Sequence, residues 1–348
     1  MRVRKVAILG ASGLVAQRFQ QRLANHPWFE IGAIYGSSRT AGKKLAELPW
    51  HLPEPRPNLP EIKIRSLDSV ISDVDDFEIV FSALPSEVAR EVEKPLAEAG
   101  IFVFSNASTH RMDDDVPLVI ADLNPHHLLT LTNRTSDGFV ACSTNCTIVP
   151  AALPLKPLWD FIGLDGVNIS TEQSLSGGGI ELLTTFQETG EYPVEIPGEA
   201  EKMREECLSL LGRAQSNGVR PANLPVEVTV KRVSREFGHI VNVSATLHFE
   251  KEEVEVIEWM KNYRSRAQAL DLPSAPEYPF IFVDDLIPES LPDPALDLKS
   301  GMVVRVGDVQ VSGTSIRFRA WSENTIRGAA GGTVLLAELA IAEGLLGE

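Results

Sequence analysis

Cys146 lies in the run Ser143-Thr-Asn-Cys146-Thr147, directly before an apolar helical run that begins at Ile148. A thiol at a helix N-terminus meets the positive end of the helix dipole, which lowers its pKa and makes it a candidate nucleophile. The polar flanks of Cys146 set it apart from Cys142 and Cys207, which read as small buried hydrophobes. A thiolate needs a proton shuttle, and His239 in Phe237-Gly-His239 opens a long strand-like segment, with Gly238 free to present the ring. His26, His51, His126 and His127 lie beside prolines or in polar turns and read as surface residues. Arg111, Lys202, Arg232 and Arg235 are candidate anion binders, because a small acidic substrate requires two or three converging cations with bidentate geometry. Spacing by itself does not select among them.

A second constellation sits at the start of the chain. Gly10-Ala-Ser12-Gly13-Leu14-Val15-Ala16 falls between a short apolar run, Val6 to Leu9, and a segment of helical periodicity. There a dinucleotide's pyrophosphate would meet backbone N–H groups and a helix N-terminus. The next strand-like segment, Phe29 to Tyr35, is followed by Gly36-Ser37-Ser38-Arg39 rather than by the Asp or Glu that would bond a free ribose 2′-hydroxyl. An arginine there accommodates a 2′-phosphate, so the expected cofactor is NADP rather than NAD.

The elements that must position these residues follow from periodicity. Strand candidates Phe29 to Tyr35, Phe77 to Leu84 and Ile101 to Phe104 alternate with helical stretches, including Ser86 to Ala99, and predict a Rossmann-type, doubly wound parallel sheet of the α/β class. The Pro-rich stretch from Pro49 to Pro60 reads as a surface excursion. From about Val140, alternating runs at Val226 to Val230, Ile240 to Phe249, Met302 to Val311 and Ser315 to Trp321 predict a second, α+β domain. Thr325 to Leu346 returns to helical periodicity and is expected to pack back on the first domain. The expected division is residues 1–140 with 325–348 for the cofactor, and 141–324 for catalysis and dimerisation.

Composition narrows the partners. The 348 residues carry 32 Lys and Arg against 48 Asp and Glu, a net charge of −16 that repels phosphate backbones and anionic lipid. Nucleic acid and membrane partners are therefore not expected. No apolar stretch approaches the roughly 20 residues of a spanning helix, and the chain runs from its first residues into a strand-like segment without a signal peptide. Three cysteines neither build a disulfide framework nor match a zinc pattern. A cytoplasmic protein without a metal is expected.

The combination resembles the aspartate-β-semialdehyde dehydrogenase family, in particular the branch common in archaea and fungi, over essentially the whole chain. The resemblance rests on the turn at Gly10, Ser37-Ser-Arg39 followed by Gly42-Lys43, Ser105-Asn-Ala-Ser-x-x-Arg-Met112 with Asp115-Val-Pro-Leu118, and Thr144-Asn-Cys-Thr147. It continues through Glu172-Gln-Ser-Leu-Ser-Gly-Gly178, Glu199-Ala-Glu-Lys202, Arg232 with His239 seven residues later, and Asn324-Thr-Ile-Arg-Gly-Ala-Ala-Gly331. What the family implies is Cys146 as nucleophile, Gln173 orienting substrate and intermediate, and His239 as acid/base. It further implies Arg232 on the substrate carboxylate, Glu199 on its ammonium, Arg111 and Lys202 on phosphate, and Ser82, Gly177 and Asn324 at the cofactor. The implied reaction is the reversible, NADPH-dependent conversion of β-aspartyl phosphate to aspartate β-semialdehyde through a cysteine thioester, a step toward lysine, threonine and methionine. A homodimer or homotetramer built through the second domain's sheet is implied too.

The sequence departs from the family's pattern at several positions. Residues 179–199 lack its Tyr-Pro-Gly and Asp-Asn elements, Ala200 and Ser209 stand for the usual Glu and Lys, and Ser234-Arg-Glu-Phe237 precedes the Gly-His pair. These departures cluster on the substrate side, where a malonyl-CoA reductase, similar to this family, is the alternative enzyme. The Glu199…Lys202 pair favours the amino-acid substrate, since malonate has no ammonium. A catalytically silent NADP-binding paralogue is the alternative from another class, and the joint presence of Cys146, Gln173, Arg232 and His239 argues against it.

Overall fold

The computed structural model describes residues 2–215 and 218–347. In its first strand, β1 (Arg4–Leu9), Val6 to Leu9 are wholly buried, as a central parallel strand covered on both faces requires. Gly10, at φ +96°, turns the chain towards α1 (Leu14–Leu23), and β2 (Phe29–Gly36) follows parallel to β1. The Pro-rich excursion then leaves the sheet and returns as β3 (Arg65–Ser66). It is anchored by the buried Gln17 of α1, whose Nε2 donates to the Pro49 carbonyl at 3.2 Å while its Oε1 accepts the His51 N–H at 2.9 Å. Next come β4 (Ile79–Ser82), α2 (Ser86–Glu98), β5 (Phe102–Ser105) and β6 (Phe139–Cys142). The six strands are all parallel in the order β3-β2-β1-β4-β5-β6, the doubly wound arrangement that periodicity predicted. β3 and β6 have no counterpart among the expected strands, and the expected division at 140/141 falls inside β6.

Beyond β6 the chain forms α3 (Ile148–Phe161), β7 (Leu164–Gln173), α4 (Gly179–Thr189), α5 (Glu199–Leu210) and a short antiparallel pair, β8 (Arg213–Gln215) with β9 (Gly218–Arg220). It continues through β10 (Val226–Arg232), β11 (His239–Leu247), α6 (Glu253–Lys261), α7 (Arg266–Ala269), β12 (Phe280–Phe282), β13 (Val304–Ser312) and β14 (Ser315–Ser322). These build a second, mixed six-stranded sheet, ordered β10-β7-β11-β14-β13-β12. Its apolar residues, including Val167, Ile169, Val241, Val243, Ile316 and Phe318, pack in one core with α3, α5 and α6. Asn168, Ser170, Thr229, Asn242, Ser244, Arg317 and Arg319 line a shallow polar cleft of about 420 Å³ on this sheet.

After β14, a π turn at Ile326–Ala330 leads into α8 (Gly331–Ala342), whose apolar residues Val334, Leu335, Leu336 and Leu339 join the first domain's core beside α1 and β5. Two histidine readings are corrected here. His26 is buried with Nε2 2.8 Å from Glu338 of α8. His127 is buried against Asn124 at 2.9 Å and the Gly212 carbonyl at 3.4 Å. Each ring is satisfied in part by a partner remote in sequence, which local polarity does not reveal. Among the described residues, no helix is long and apolar enough to cross a membrane.

Candidate active site

Sheet register assembles most of the site. The last pair of the parallel β10–β7 ladder sets Arg232 opposite Gln173, while antiparallel pairing of β11 with β7 and β14 puts His239 at the same end, opposite Ser322. Asn324 follows two residues later. The loop between β6, the last strand of the first sheet, and α3 brings Cys146 to this end.

Cys146 Sγ lies 3.1 Å from His239 Nε2. On the far side of the ring, Nδ1 accepts the Ser174 backbone N–H at 3.0 Å. A backbone N–H can only donate, so the neutral ring in this arrangement carries its proton on Nε2 and directs it at the sulfur. Burial pushes the His239 ring down to about 3, with Arg235 and Arg232 acting in the same direction. The dipole reading of Cys146 is corrected: burial pushes its thiol up to about 12, and Glu199 adds to the rise, while Thr147 and Arg111 oppose it. Desolvation acts against the helix terminus here and favours the neutral thiol and the neutral imidazole. Burial also raises Cys142 and Cys207, both without exposure, in keeping with their reading as buried hydrophobes.

Around this pair stand the groups of opposite charge. Glu199, the first residue of α5, accepts the Asn145 side-chain amide at 2.7 Å and lies 3.4 Å from Gln173 Nε2. Arg232 is nearly buried, donates from Nη1 to the Ser174 carbonyl at 3.2 Å and keeps a buried Nε without a partner. Arg111 pairs with Glu206 at 2.8 Å and donates to the Asn106 carbonyl at 2.8 Å, so its guanidinium is held before any ligand arrives. Glu206 also accepts the Asn145 N–H at 2.6 Å, tying Arg111 to the residue before Cys146. Lys202 is exposed and forms no ion pair among the described residues. Arg235 turns away, donating to the Gly238 and Glu172 carbonyls.

Asn145, Ser174 and Gly328 lie in the motifs that carry the resemblance but received no role from the sequence, and Glu206 lies outside them. Glu206 stands seven residues after Glu199, two helical turns along one face, and that spacing could have marked it. Gly328 lies inside the Asn324 to Gly331 motif, which carried the resemblance without giving this glycine a role: a Cβ there would lie 2.6 Å from Cys146 Cβ, so the π turn packs directly on the Cys146 backbone.

The glycine turn opens beside this cluster, since Leu14 shares an apolar cluster with Leu175 and Leu183. A Cβ at Gly10 would come within 3.1 Å of the Ala83 carbonyl, and one at Gly177 within 3.2 Å of His239 Nε2, whereas Gly13 faces open space. Ser12, Ser37, Ser38 and Arg39 are exposed, while Leu14 is buried and Val15 partly so. Ser82 is wholly buried. Asn324 Oδ1 accepts the Gly238 N–H at 2.8 Å and the Ser174 and Ser176 hydroxyls at 3.1 and 3.2 Å.

Residues 5–131 match the semialdehyde dehydrogenase NAD-binding domain, and residues 155–327 match the semialdehyde dehydrogenase dimerisation domain. The chain is 39% identical to the aspartate-semialdehyde dehydrogenase of Archaeoglobus fulgidus, over 98% of this chain and 99% of that protein. It is 33% identical to the NADP malonyl CoA reductase of Metallosphaera sedula, over 99% of each chain. Among solved structures, that of aspartate semialdehyde dehydrogenase with NADP from Candida albicans matches with a TM-score of 0.85 at 30% identity, covering 99% of both chains. By sequence over nearly its full length, and by a fold whose sheet register sets a cysteine–histidine pair beside a dinucleotide-type turn, the chain belongs to the aspartate-semialdehyde dehydrogenase family.

Proposed function

We propose that this chain reduces β-aspartyl phosphate to aspartate β-semialdehyde with NADPH, reversibly, through a thioester on Cys146. The observation that carries the reading is the 3.1 Å Cys146–His239 contact with Glu199, Gln173 and Arg232 gathered at the same end of the second sheet. In our assignment, Arg232 clamps the substrate carboxylate, Glu199 meets the ammonium, and Arg111 and Lys202 hold the phosphate. Gln173 orients the acyl group. The close approach at Gly10, the open face of Gly13 and the unpaired, exposed Arg39 suit an NADP whose pyrophosphate rests on Gly10 to Val15 and whose 2′-phosphate meets Ser37, Ser38 and Arg39. Ser82, Gly177 and Asn324 are the remaining cofactor positions in this reading. When bound there, NADPH would supply a hydride for reduction of the thioester.

The protein's own groups do the rest. Cys146, once deprotonated, attacks the acyl carbon and phosphate leaves, dividing one difficult step into two. After reduction, the Nε2 proton of His239 passes to the substrate oxygen and returns to the ring as the aldehyde forms and the sulfur is released. We assign residues 1–140 and 325–348 to cofactor binding and 141–324 to catalysis. The polar outer face of the second sheet suits a homodimer or homotetramer interface, and the setting we propose is cytoplasmic. Following NADP reduction with aspartate semialdehyde and phosphate, beside malonate semialdehyde and CoA, tests the reading. Turnover with the first pair supports it. Turnover with the second alone replaces it by the malonyl-CoA reductase reading, which the Metallosphaera sedula relative favours, and tight NADP binding with neither pair turned over leaves a silent paralogue.

A further inference from the structure

We infer that Arg235 is a positioning residue for the Cys146–His239 pair, its guanidinium fixing the two peptide groups that lead into His239 and Gln173. This deepens the proposed reading of the site and rests on it. Arg235 Nε donates to the Gly238 carbonyl at 2.7 Å, and Nη2 donates to the Glu172 carbonyl at 3.1 Å. The first carbonyl belongs to the Gly238–His239 peptide and the second to the Glu172–Gln173 peptide. The Nε and Nη2 donors belong to one rigid plane, so the two carbonyls bonded to them are held at a set spacing. Arg235 stands in Ser234-Arg-Glu-Phe237, where the sequence departs from the family's pattern, and the resemblance gives it no role.

Gly238 makes such a strap necessary. Its φ is +81°, and a Cβ there would collide with the Trp321 indole, so no side chain can stiffen this turn. A glycine's freedom would let the start of β11 swing, and His239 is the first residue of that strand. Hydrogen bonds close both sides of the glycine: Asn324 Oδ1 accepts its N–H at 2.8 Å, and Arg235 takes its carbonyl. The Arg235 backbone is itself held, since its carbonyl accepts the Leu175 N–H at 2.8 Å and the next carbonyl, of Glu236, accepts the Ser176 N–H at 2.9 Å. Both acceptors of the guanidinium are main-chain carbonyls, while the Glu172 carboxylate lies 3.5 Å from Lys231 Nζ. A guanidinium so engaged orders the end of the sheet rather than capturing an anion. Its charge also opposes protonation of the ring. The 3.1 Å approach of His239 Nε2 to Cys146 Sγ thus depends on a side chain four residues upstream of the histidine.

The test is a double-mutant cycle on iodoacetamide alkylation of Cys146, read by mass spectrometry at one pH, in the unmodified chain, Arg235→Lys, His239→Ala and the double variant. Arg235→Lys keeps the charge but loses the fork, so the ring drifts from the sulfur. Alkylation should slow on the order of tenfold, the weight of the Nε2–H bond to a thiolate. In the His239→Ala background the same change should have no effect, because Arg235 acts through the ring. Alkylation of Arg235→Lys at or above the unmodified rate, or an equal slowing with and without His239, overturns the inference. In turnover, kcat should fall on the same order while KM for aspartate semialdehyde and for phosphate stays within about twofold; raised KM at unchanged kcat would make Arg235 an anion binder instead. If the variants do not fold, nitrogen-15 NMR of the unmodified chain still decides. Arg235 Nη protons resolved by hindered rotation support the strap, and a single averaged signal ends it. Alkylation and NMR need no turnover, so failure of the strap and failure of the substrate assignment are separate results.

Discussion

Arg111 and Glu206 form a nearly buried ion pair at 2.8 Å, and the second oxygen of Glu206 holds the Asn145 N–H at 2.6 Å. One carboxylate therefore sets both a guanidinium and the backbone preceding Cys146. Removing one partner of such a pair strands the other charge. Glu206→Ala should lower unfolding free energy by about 3–5 kcal/mol, whereas Glu206→Gln, which retains an acceptor for Asn145, should lose less. Chemical denaturation of both variants measures this, and equal, negligible losses would show that Arg111 finds another partner.

The proposed reacting pair, Cys146 and His239, makes a kinetic and a thermodynamic prediction. Cys146→Ala should abolish turnover with NADP binding intact, and His239→Ala should lower kcat by roughly 10²- to 10⁴-fold. Burial pushes His239 from its ordinary 6.5 down to about 3, and His127 from 6.5 down to about 4. Between those values the unfolded chain binds protons that the folded chain refuses, so stability is full above 6.5 and falls as the pH falls. Each such histidine steepens the loss by about 1.4 kcal/mol per pH unit. Denaturation midpoints for His239→Gln at neutral and acid pH should show a shallower decline; an unchanged slope would refute the assignment.

Arg39 projects into solvent after β2 with no carboxylate beside it among the described residues. Arg39→Asp should cut the preference for NADP over NAD by on the order of 1–3 kcal/mol, by removing a phosphate partner and adding a repelling charge. Isothermal titration with both cofactors measures the difference, and equal affinity for the two in the unmodified chain would count against the role.

In the proposed reading, Glu199, Lys202 and Arg232 act on different parts of the substrate. Glu199→Gln should weaken aspartate semialdehyde and spare a substrate without an amino group. Lys202→Ala should chiefly raise KM for phosphate in the oxidative direction. Arg232→Lys should damage activity with every acidic substrate, since it retains charge but loses the planar fork. Steady-state kinetics with each substrate varied in turn separates these effects. Unchanged aspartate semialdehyde kinetics in Glu199→Gln would move the malonyl-type substrate ahead.

Gly328→Ala should reduce kcat strongly while leaving the fold's cores in place. Its Cβ would sit 2.6 Å from Cys146 Cβ and 2.8 Å from Cys146 Cα, so the nucleophile's loop must shift. A shift of order 1 Å costs about 10²-fold in a positioned reaction. Wild-type kcat in this variant would mean that the π turn, not Cys146, gives way.

Local chemistry was legible in the sequence wherever a motif or a period is itself local. The glycine turn at Gly10, the strands around Val226 and Ile240, the helix beginning at Ser86 and the helical run from Ile148 all appear where the pattern places them. The resemblance, more than spacing, singled out Gln173 and Glu199. The two-residue β3 is too short to show a period, and β6 fell across the expected domain boundary; both are strands because neighbouring strands offered paired edges.

By itself, then, the sequence determined the family, the doubly wound sheet, and Cys146 and His239 as candidates for one reaction. Tertiary structure alone decided that these two meet at 3.1 Å, that Ser174 and Asn324 stand behind the ring, and that Glu206 joins Arg111 to Asn145. It also reversed the direction expected for the thiol and buried His26 and His127. The physical reason is common to all of these. A helix dipole or a turn is a property of a few consecutive residues, whereas desolvation and hydrogen-bond partnership depend on the groups that distant strands and helices bring into contact, and no window of sequence contains them.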